Sequence, residues 1–262
     1  GMSAQQGRFA TAAEHYTAGR VPYAPALFAR LAERLRLDGT GTLLDLGCGP
    51  AQIAIALAPR LGRTIAMDPE PAMLDQARAA IEAAGAPVEL VAGSSAALDR
   101  VPAPLRLVTM GRSFHWMDRP ATLVALDRLV ARDGAIVLIQ THHLPLPDNA
   151  WRAALAAALA PFEENDTAAT PHRQPGWVRH EGVLLDSQFS RLERIGVIER
   201  RETTVDRLVR RAFSQSRSAP AKLGDALPRA EAALRTALAP FVHDGVIREV
   251  VESEALLAFR PA

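Results

Sequence analysis

Residues 43–54, LLDLGCGPAQIA, form an apolar run that contains one acid and opens into two glycines one residue apart. The run predicts a buried strand over 42–46, followed by a loop over 47–50 and a helix from about residue 51. Glycines at 47 and 49 allow the backbone to turn sharply and to approach a ligand without an obstructing Cβ. The stretch therefore predicts a strand, loop and helix unit that binds a ligand.

From residue 40 to 142, short β-branched or leucine-rich segments alternate with helical segments. Such alternation is typical of a parallel sheet covered by helices on both faces. Apolar residues recur at helical spacing over 25–37, 71–85 and 119–132, and Asp133-Gly134 is predicted to end the last of these helices. The predicted strands are 42–46, 63–68, 88–92, 105–110 and 135–141.

The pattern changes after residue 142. An alanine-rich helix is predicted over 149–164, and strand character returns at 191–204 and 246–260, which we expect to pair as an antiparallel edge. The predicted fold class is α/β, a Rossmann-like, doubly wound, mostly parallel seven-stranded sheet with an antiparallel edge strand and a helical cap insertion. We expect one domain over 1–262, divided into an N-terminal helical segment 1–37, a ligand-binding core 38–142, a cap 143–187 and a C-terminal part 188–262.

The neighbours of the two glycines restrict the ligand. A dinucleotide fingerprint places a glycine or alanine where this chain has Gln52, and no Gly-Lys-Ser/Thr sequence is present for a phosphate loop. Asp45 would repel a phosphate. Asp68 ends the second strand about 20 residues further along the chain, a spacing at which its carboxylate can reach the two hydroxyl groups of a ribose. These residues indicate a positively charged adenosine compound. The alternative is a tight turn in which Asp45 caps a helix and Asp68 ends a strand.

Four segments together resemble the class I S-adenosylmethionine (SAM)-dependent methyltransferases, especially the small-molecule enzymes that include the ubiquinone/menaquinone and trans-aconitate methyltransferases. The segments are LLDLGCGPAQIA, IAMDPEPAMLDQAR, VELVAGSSAAL and LVTMGRSFHWMDRPATLVALDRLVARDGAIVLI. The resemblance implies SAM as cofactor. It departs from the family at Ala51, where a third glycine is common, and at Ser94, where many members have Asp. By resemblance, Asp45, Gly47 and Gly49 hold the methionine part, Asp68 the ribose, Pro69 and Met73 the adenine face, Gly93 and Ser94 the adenine edge, and Gly111 lies near the methyl group.

The N-terminal sequence AEHYTAGRVPY, residues 13–23, resembles a family segment that closes over the methyl donor. Tyr16, Arg20 and Tyr23 match its aromatic and basic positions. The alternative is a solvated helix with one aromatic anchor.

Catalytic candidates are expected after the fourth strand, in GRSFHWMDRP. His115 could act as a general base, because its ordinary pKa lies near neutrality, or it could pack the loop. Arg112, with Arg173 or Arg179, could bind an acceptor carboxylate through paired N–H donors, or it could be solvated. His142 and His143 could also face the acceptor. As adjacent strand residues they point in opposite directions, and no metal is predicted.

Composition restricts the partners. The formal net charge is +1 and the charges are mixed along the chain, so no nucleic-acid or membrane partner is predicted. With Cys48 as the single cysteine and no membrane-length apolar run, a cytoplasmic protein with a small-molecule methyl acceptor is expected. A non-catalytic SAM-binding or interaction protein remains an alternative. An NAD-dependent oxidoreductase is disfavoured by Gln52 and Asp45. The oligomeric state and the identity of the acceptor are not predicted.

Overall fold

The computed structural model describes residues 20–163, 171–214 and 220–262. Within them, one seven-stranded sheet has the strand order β3-β2-β1-β4-β5-β7-β6. It is mostly parallel with an antiparallel edge, as predicted. The strands are β1 Thr42–Leu46, β2 Arg63–Asp68, β3 Val88–Ala92, β4 Leu105–Gly111, β5 Val130–His143, β6 Arg191–Thr203 and β7 Ile247–Phe259.

Proline and glycine mark the ends of several helices. Several carry proline in the first turn, where the missing N–H has no helical partner, and the helix over 71–84 ends at Gly85 in a left-handed conformation. The helices are α1 Pro25–Arg34, α2 Gln52–Leu57, α3 Pro71–Ala84, α4 Arg119–Leu129, α5 Trp151–Leu159, α6 His180–Leu185, α7 Val205–Ser214, α8 Pro220–Leu223 and α9 Leu227–Leu238.

The register of the central strands aligns their carboxyl ends. β1 pairs in parallel with β2 and β4, and this register places Asp45 opposite Thr109. β7 and β6 are neighbours in the sheet, as expected for 246–260 and 191–204. The first three strands have the predicted bounds.

The prediction of a helix over 119–132 is wrong at its C-terminal end. α4 ends at Leu129, and Val130 already pairs with Leu105 as the first residue of β5. The pairing then shifts, because Leu107 lies opposite Ala135. Asp133-Gly134 therefore lies in a bulge inside a strand and does not end the helix. A helix end and a bulge favour the same turn-forming residues, but here the strand resumes its pairing beyond Asp133-Gly134.

The described residues divide into two compact units. The sheet unit comprises the described residues of Tyr23–Gln140, Asp166–Val197 and Ser253–Ala262. Successive residues of its strands point to opposite faces, so Leu44 and Leu46 join one apolar core while Leu43 joins a second core with Leu27, Leu31 and Leu257. The parallel strands are thus buried on both sides.

The helical unit comprises the described residues of Gly1–Pro22, Thr141–Asn165 and Ile198–Glu252. Its apolar core packs α5, α7 and α9 around Leu159, Phe213 and Leu234. A second feature of this unit is the buried carboxylate of Glu249, which lies 2.6 Å from Nε2 of His143 and accepts hydrogen bonds from Arg211.

A cavity of about 520 Å³ lies in the helical unit, at the start of α5 and of β7. None of the predicted site residues lines it. No helix among the described residues is both long enough and apolar enough to cross a membrane.

Candidate functional site

The glycine turn after β1 is held to β2 by backbone hydrogen bonds. The N–H groups of Gly47 and Cys48 donate to the carbonyl of Met67 at 2.8 and 2.9 Å. Gly47 and Gly49 have φ values of 69° and 53°, a region that glycine adopts without steric cost. Ala51, at the position where the third family glycine is common, also has a left-handed φ of 65°. This alanine therefore adopts the backbone conformation that the family glycine would provide.

Gly47 is also required by a close approach. A Cβ at this position would lie 2.7 Å from Cβ of Ser113, and Ser113 donates a hydrogen bond to the carbonyl of Leu46 at 3.0 Å. The turn after β1 and the turn after β4 are therefore in direct contact. Sequence reasoning assigned Gly47 to the ligand and did not detect its contact with Ser113.

Asp45 lies inside the protein, with 1% of its surface exposed. One carboxylate oxygen accepts a hydrogen bond from the hydroxyl of Thr109 at 3.0 Å, and the other accepts from the N–H of Ala54 at 3.3 Å. Asp45 therefore caps the start of α2 and binds β4, which is the capping geometry considered as an alternative above. Burial raises the pKa of this carboxyl group to about 7, with the nearby negative charge of Asp68 adding to the increase.

Asp68 occupies the end of β2 and is 6% exposed. Its carboxylate accepts hydrogen bonds from the N–H groups of Gly49 and Glu70, both at 2.9 Å. Since a carboxylate offers about four acceptor positions, two remain for other donors. Asp68 thus links the glycine turn to the start of α3 and retains hydrogen-bonding capacity.

The two carboxylates form an acidic pair without a basic partner in the described part of the chain. All the hydrogen bonds that Asp45 and Asp68 make there come from uncharged N–H and O–H groups. Because buried charges are costly unless compensated, the pair favours a positively charged group close to the turn. This arrangement agrees with the ligand charge inferred from the sequence.

The residues expected at the adenine end lie around the ends of β2 and β3. Pro69 is exposed and Met73 is half-buried on α3, while Gly93 donates a hydrogen bond from its N–H to the carbonyl of Asp68 at 3.1 Å. The hydroxyl of Ser94 accepts a hydrogen bond from the N–H of Ala96 at 3.2 Å. The Ser94 side chain therefore caps the following helical turn.

The end of β4 carries Gly111 and Arg112. A Cβ on Gly111 would lie 2.5 Å from Cδ1 of Ile53 and 2.9 Å from the hydroxyl of Tyr23. The guanidinium carbon of Arg112 lies 4.4 Å from the centre of the Tyr23 ring. Arg112 has a left-handed φ of 57°, which is uncommon for a residue with a side chain. Tyr23, Gly111 and Arg112 are thus brought together.

His115 lies in the turn Phe114–Trp116. Its ring centre is 4.8 Å from that of Trp116 and 5.5 Å from that of His172, so both neighbours are aromatic. Trp116 is 58% exposed. The turn therefore presents an imidazole and an indole at the surface of the sheet unit.

The remaining candidates are described by the unit to which they belong. Tyr16 falls outside the described residues, and Arg20 is half-buried in the helical unit, to which His142 and His143 also belong. Two arginines considered for substrate binding differ in their surroundings. Both are exposed, and Arg179 pairs with Glu181 at 2.7 Å. No group of three or more His, Cys, Asp or Glu suited to a metal ion is found among the residues that the structure describes.

Comparison with known proteins identifies the central segment. Residues 43–134 match the family model of a methyltransferase domain. These residues contain β1 to β4, the glycine turn, the acidic pair and the Phe114–Trp116 turn. Residues 43–134 resemble a methyltransferase domain. Outside these residues, the remaining strands complete the same sheet.

Solved structures share the fold of the chain over most of its length. A SAM-dependent methyltransferase from Thiobacillus denitrificans in complex with S-adenosyl-L-homocysteine is 17% identical, with 94% of this chain and 96% of that chain covered and a TM-score of 0.52. A proposed methyltransferase from Bacillus halodurans C-125 is 19% identical, with coverages of 90% and 99% and a TM-score of 0.55. At such identities the likeness shows the fold alone.

A curated relative matches over a shorter segment. Trans-aconitate 2-methyltransferase of Enterobacter sp. (strain 638) is 47% identical over 55 residues, which are 20% of this chain. The aligned segment spans 22% of that relative. A precorrin 8w decarboxylase from Methanobacterium thermoautotrophicum, 14% identical with coverages of 94% and 95% and a TM-score of 0.53, has a similar fold under a different activity name. The acceptor site must therefore be argued from this chain's own residues.

Proposed function

We propose that the protein is a SAM-dependent methyltransferase that acts on a small molecule. The observation that carries this proposal is the acidic pair Asp45 and Asp68 beside a left-handed glycine turn, inside a segment that matches a methyltransferase domain. The pair suits the positive charge of SAM, whereas a dinucleotide would bring a negatively charged pyrophosphate to the same turn.

The residues present fit the SAM molecule. Asp68 retains two acceptor positions for the hydroxyl groups of a ribose, and the glycine turn leaves room close to the backbone. Asp45 is buried behind the turn, and a positively charged ligand beside it would favour the ionised form of its carboxyl group, whose pKa burial raises to about 7. Pro69, Met73, Gly93 and Ser94 provide the adenine side. Tyr23, Gly111 and Arg112 provide the side at which the methyl group of SAM would lie.

SAM, when bound, supplies a methyl group that is already activated for transfer. The chain then has to align an acceptor, exclude water and accept a proton where the acceptor is a hydroxyl group. His115 is our candidate for the proton acceptor and Arg112 for orienting an anionic acceptor. Trp116 supplies an exposed indole that could cover an apolar part of the acceptor.

The trans-aconitate relative suggests a carboxylic acid as the first acceptor to test. Arginine binds carboxylates through paired N–H donors, and Arg112 lies at the end of β4, two residues before the Phe114–Trp116 turn. Because the aligned segment is short, a panel is preferable to one compound. The panel contains small carboxylic acids, trans-aconitate among them, together with phenols and amines.

Donor binding is tested by calorimetry with S-adenosylhomocysteine. The wild type is expected to bind it, and Asp68→Ala to weaken binding at least about tenfold, since hydrogen bonds to a charged group contribute about 1.5–3 kcal/mol. Asp99→Asn is the matched control, because Asp99 is an exposed acid that follows β3. Absence of binding to the wild type at millimolar concentration, or equal binding by Asp68→Ala, contradicts the proposal.

Catalysis is tested by incubating the protein with SAM and the acceptor panel and by measuring S-adenosylhomocysteine. The expected result is turnover with at least one acceptor. Binding of S-adenosylhomocysteine without turnover on this panel or on a metabolite extract would instead favour the non-catalytic SAM-binding alternative.

A further inference from the structure

Arg119 is a buried cation in a position that is electrostatically unfavourable. It is 9% exposed and is the first residue of α4, where the positive end of the helix dipole repels a cation. Among the described residues it pairs with no carboxylate. Burial lowers the pKa of its guanidinium group. Both features cost free energy, so the contacts of this side chain must offset that cost.

Among the described residues, the hydrogen-bonding and stacking contacts of the Arg119 guanidinium are made with the segment 177–180. Its Nη1 donates a hydrogen bond to the carbonyl of Val178 at 2.7 Å and lies 3.1 Å from Nδ1 of His180. Its Cζ lies 3.5 Å from the centre of the Trp177 ring, which is stacking distance. A lysine could not reproduce the planar stacking together with the two N–H contacts.

His180 connects Arg119 to the Phe114–Trp116 turn. Burial, together with the charge of Arg119, lowers the pKa of His180 to about 4, so the ring is neutral at neutral pH. A neutral ring whose Nδ1 accepts from Arg119 carries its proton on Nε2. The same ring lies 5.0 Å from that of Phe114, the first residue of the turn that carries His115 and Trp116.

The segment 171–180 therefore meets the Phe114–Trp116 turn at two places, through His180 on Phe114 and through His172 on His115. Backbone hydrogen bonds within the segment, from Gln174 to Pro171 and from Trp177 to Gln174, shape it locally. Arg119 adds the anchor to α4.

We infer that Arg119 is a positioning residue, which anchors segment 171–180 against the Phe114–Trp116 turn and thereby fixes the acceptor-facing side chains His115 and Trp116. This inference rests on the proposed function for its catalytic consequence. The anchoring itself is a property of the fold and can be measured separately.

The test compares full-length Arg119→Gln and Arg119→Lys with the wild type by hydrogen–deuterium exchange. Arg128→Gln is the control, since Arg128 is an exposed arginine of the same helix α4. In Arg119→Gln we expect peptides covering 171–185 and 112–118 to exchange about tenfold faster, with peptides of β1 and β4 unchanged. Arg119→Lys should restore the slow exchange only in part, and the control should match the wild type.

Steady-state kinetics distinguish a local effect from a general loss of stability, because a general loss would not change the acceptor KM selectively. With the panel acid that gives the highest turnover, Arg119→Gln should raise the acceptor KM about tenfold. The change in kcat and in the calorimetric Kd for S-adenosylhomocysteine should remain within about threefold. A wild type that does not bind S-adenosylhomocysteine would contradict the proposed function, while the exchange data would still decide the anchoring.

Trp177→Leu provides the second variant in case Arg119→Gln fails to fold, because it removes the stacking partner without altering α4. It should reproduce the same local increase in exchange. The inference is overturned if neither variant changes exchange in 171–185 and 112–118, or if exchange rises equally in all peptides.

Discussion

At the scale of single residues, Asp45 combines a structural role with a charge that suits the ligand. Its hydrogen bonds to Thr109 and Ala54 hold β4 and α2 to β1, yet its burial makes ionisation unfavourable. The acid was detected from its position before the glycines. Its partner Thr109 lies 64 residues later, between the buried apolar residues Val108 and Met110 of β4, and a polar residue at such a position is the available signal.

Asp45→Asn should change the pH dependence of stability. The pKa of this carboxyl is about 7 in the folded chain and 3.8 in the unfolded chain, so unfolding releases a proton between these values and stability falls as pH rises. The variant lacks this loss. Between pH 4 and pH 8, the free energy of unfolding of Asp45→Asn should rise by about 2–4 kcal/mol relative to that of the wild type, at about 1.36 kcal/mol per pKa unit.

Urea unfolding at several pH values measures that difference, and the comparison cancels the pH-independent cost of replacing a carboxylate by an amide. Asp75→Asn, at an exposed acid of α3, serves as the control. Identical pH profiles for Asp45→Asn and the wild type would contradict the argument.

Gly47→Ala should destabilise the protein more than Gly39→Ala. Both glycines have positive φ, at 69° and 84°, so both alanines carry backbone strain. Only at Gly47 would the new Cβ also meet another side chain, Ser113 at 2.7 Å, whereas nothing lies within 4 Å at Gly39. The difference in free energy of unfolding should be about 1–3 kcal/mol. Equal values for the two variants would show that Ser113 moves away at no cost.

At the scale of elements, strands were predicted more accurately than helix ends and long-range contacts. β1, β2 and β3 match because each is a short apolar run with turn residues on both sides. The turn signal Asp133-Gly134 was interpreted as a helix end because a bulge and a helix stop use the same residues. The partners of Arg119 lie about sixty residues later in the chain, so its sequence position at the start of α4 gave no indication of its anchoring contacts.

Glu249→Gln tests the joint between β5, α7 and β7 in the helical unit. Glu249 is 2% exposed, and although burial opposes ionisation, hydrogen bonds from His143 and Arg211 keep its pKa at about 2. The free energy of unfolding of Glu249→Gln should be lower by about 3–5 kcal/mol at pH 7, since the variant leaves His143 and Arg211 without their buried carboxylate partner. Its stabilising contribution is present above the unfolded pKa of about 4.5 and disappears as pH falls toward 2.

Denaturant unfolding at pH 7 and pH 3, followed by circular dichroism, measures this effect. Glu231→Gln is the control, since Glu231 forms an exposed ion pair with Arg235 within α9 and should contribute less than about 1 kcal/mol. A loss at pH 3 as large as that at pH 7 would contradict the ion-pair argument.

At the scale of the whole molecule, neither unit is one continuous piece of chain. The sheet unit takes its last residues from Ser253–Ala262, and Leu257 and Phe259 of β7 share a core with Leu43 of β1 and Leu107 of β4. The family match ends at residue 134, before β6 and β7. The matched domain therefore lacks strands that bury its own apolar side chains.

A fragment of residues 23–140 should consequently fail to fold. Without β7, the apolar residues of β5 are exposed at a sheet edge, which favours aggregation. Gel filtration and amide proton dispersion would show an aggregated or disordered fragment. A chain shortened only by Pro261 and Ala262, which are exposed and lie beyond β7, should behave as the full chain does. A dispersed spectrum from the fragment would contradict this expectation.

The glycine turn also contains a natural chemical reporter. Cys48 is the single cysteine of the sequence; it is buried, and burial raises the pKa of its thiol, so a thiol reagent reacts only when the turn opens. Labelling would therefore modify one site in the whole protein. The rate of labelling, measured with and without S-adenosylhomocysteine, would report opening of the turn without any engineered probe.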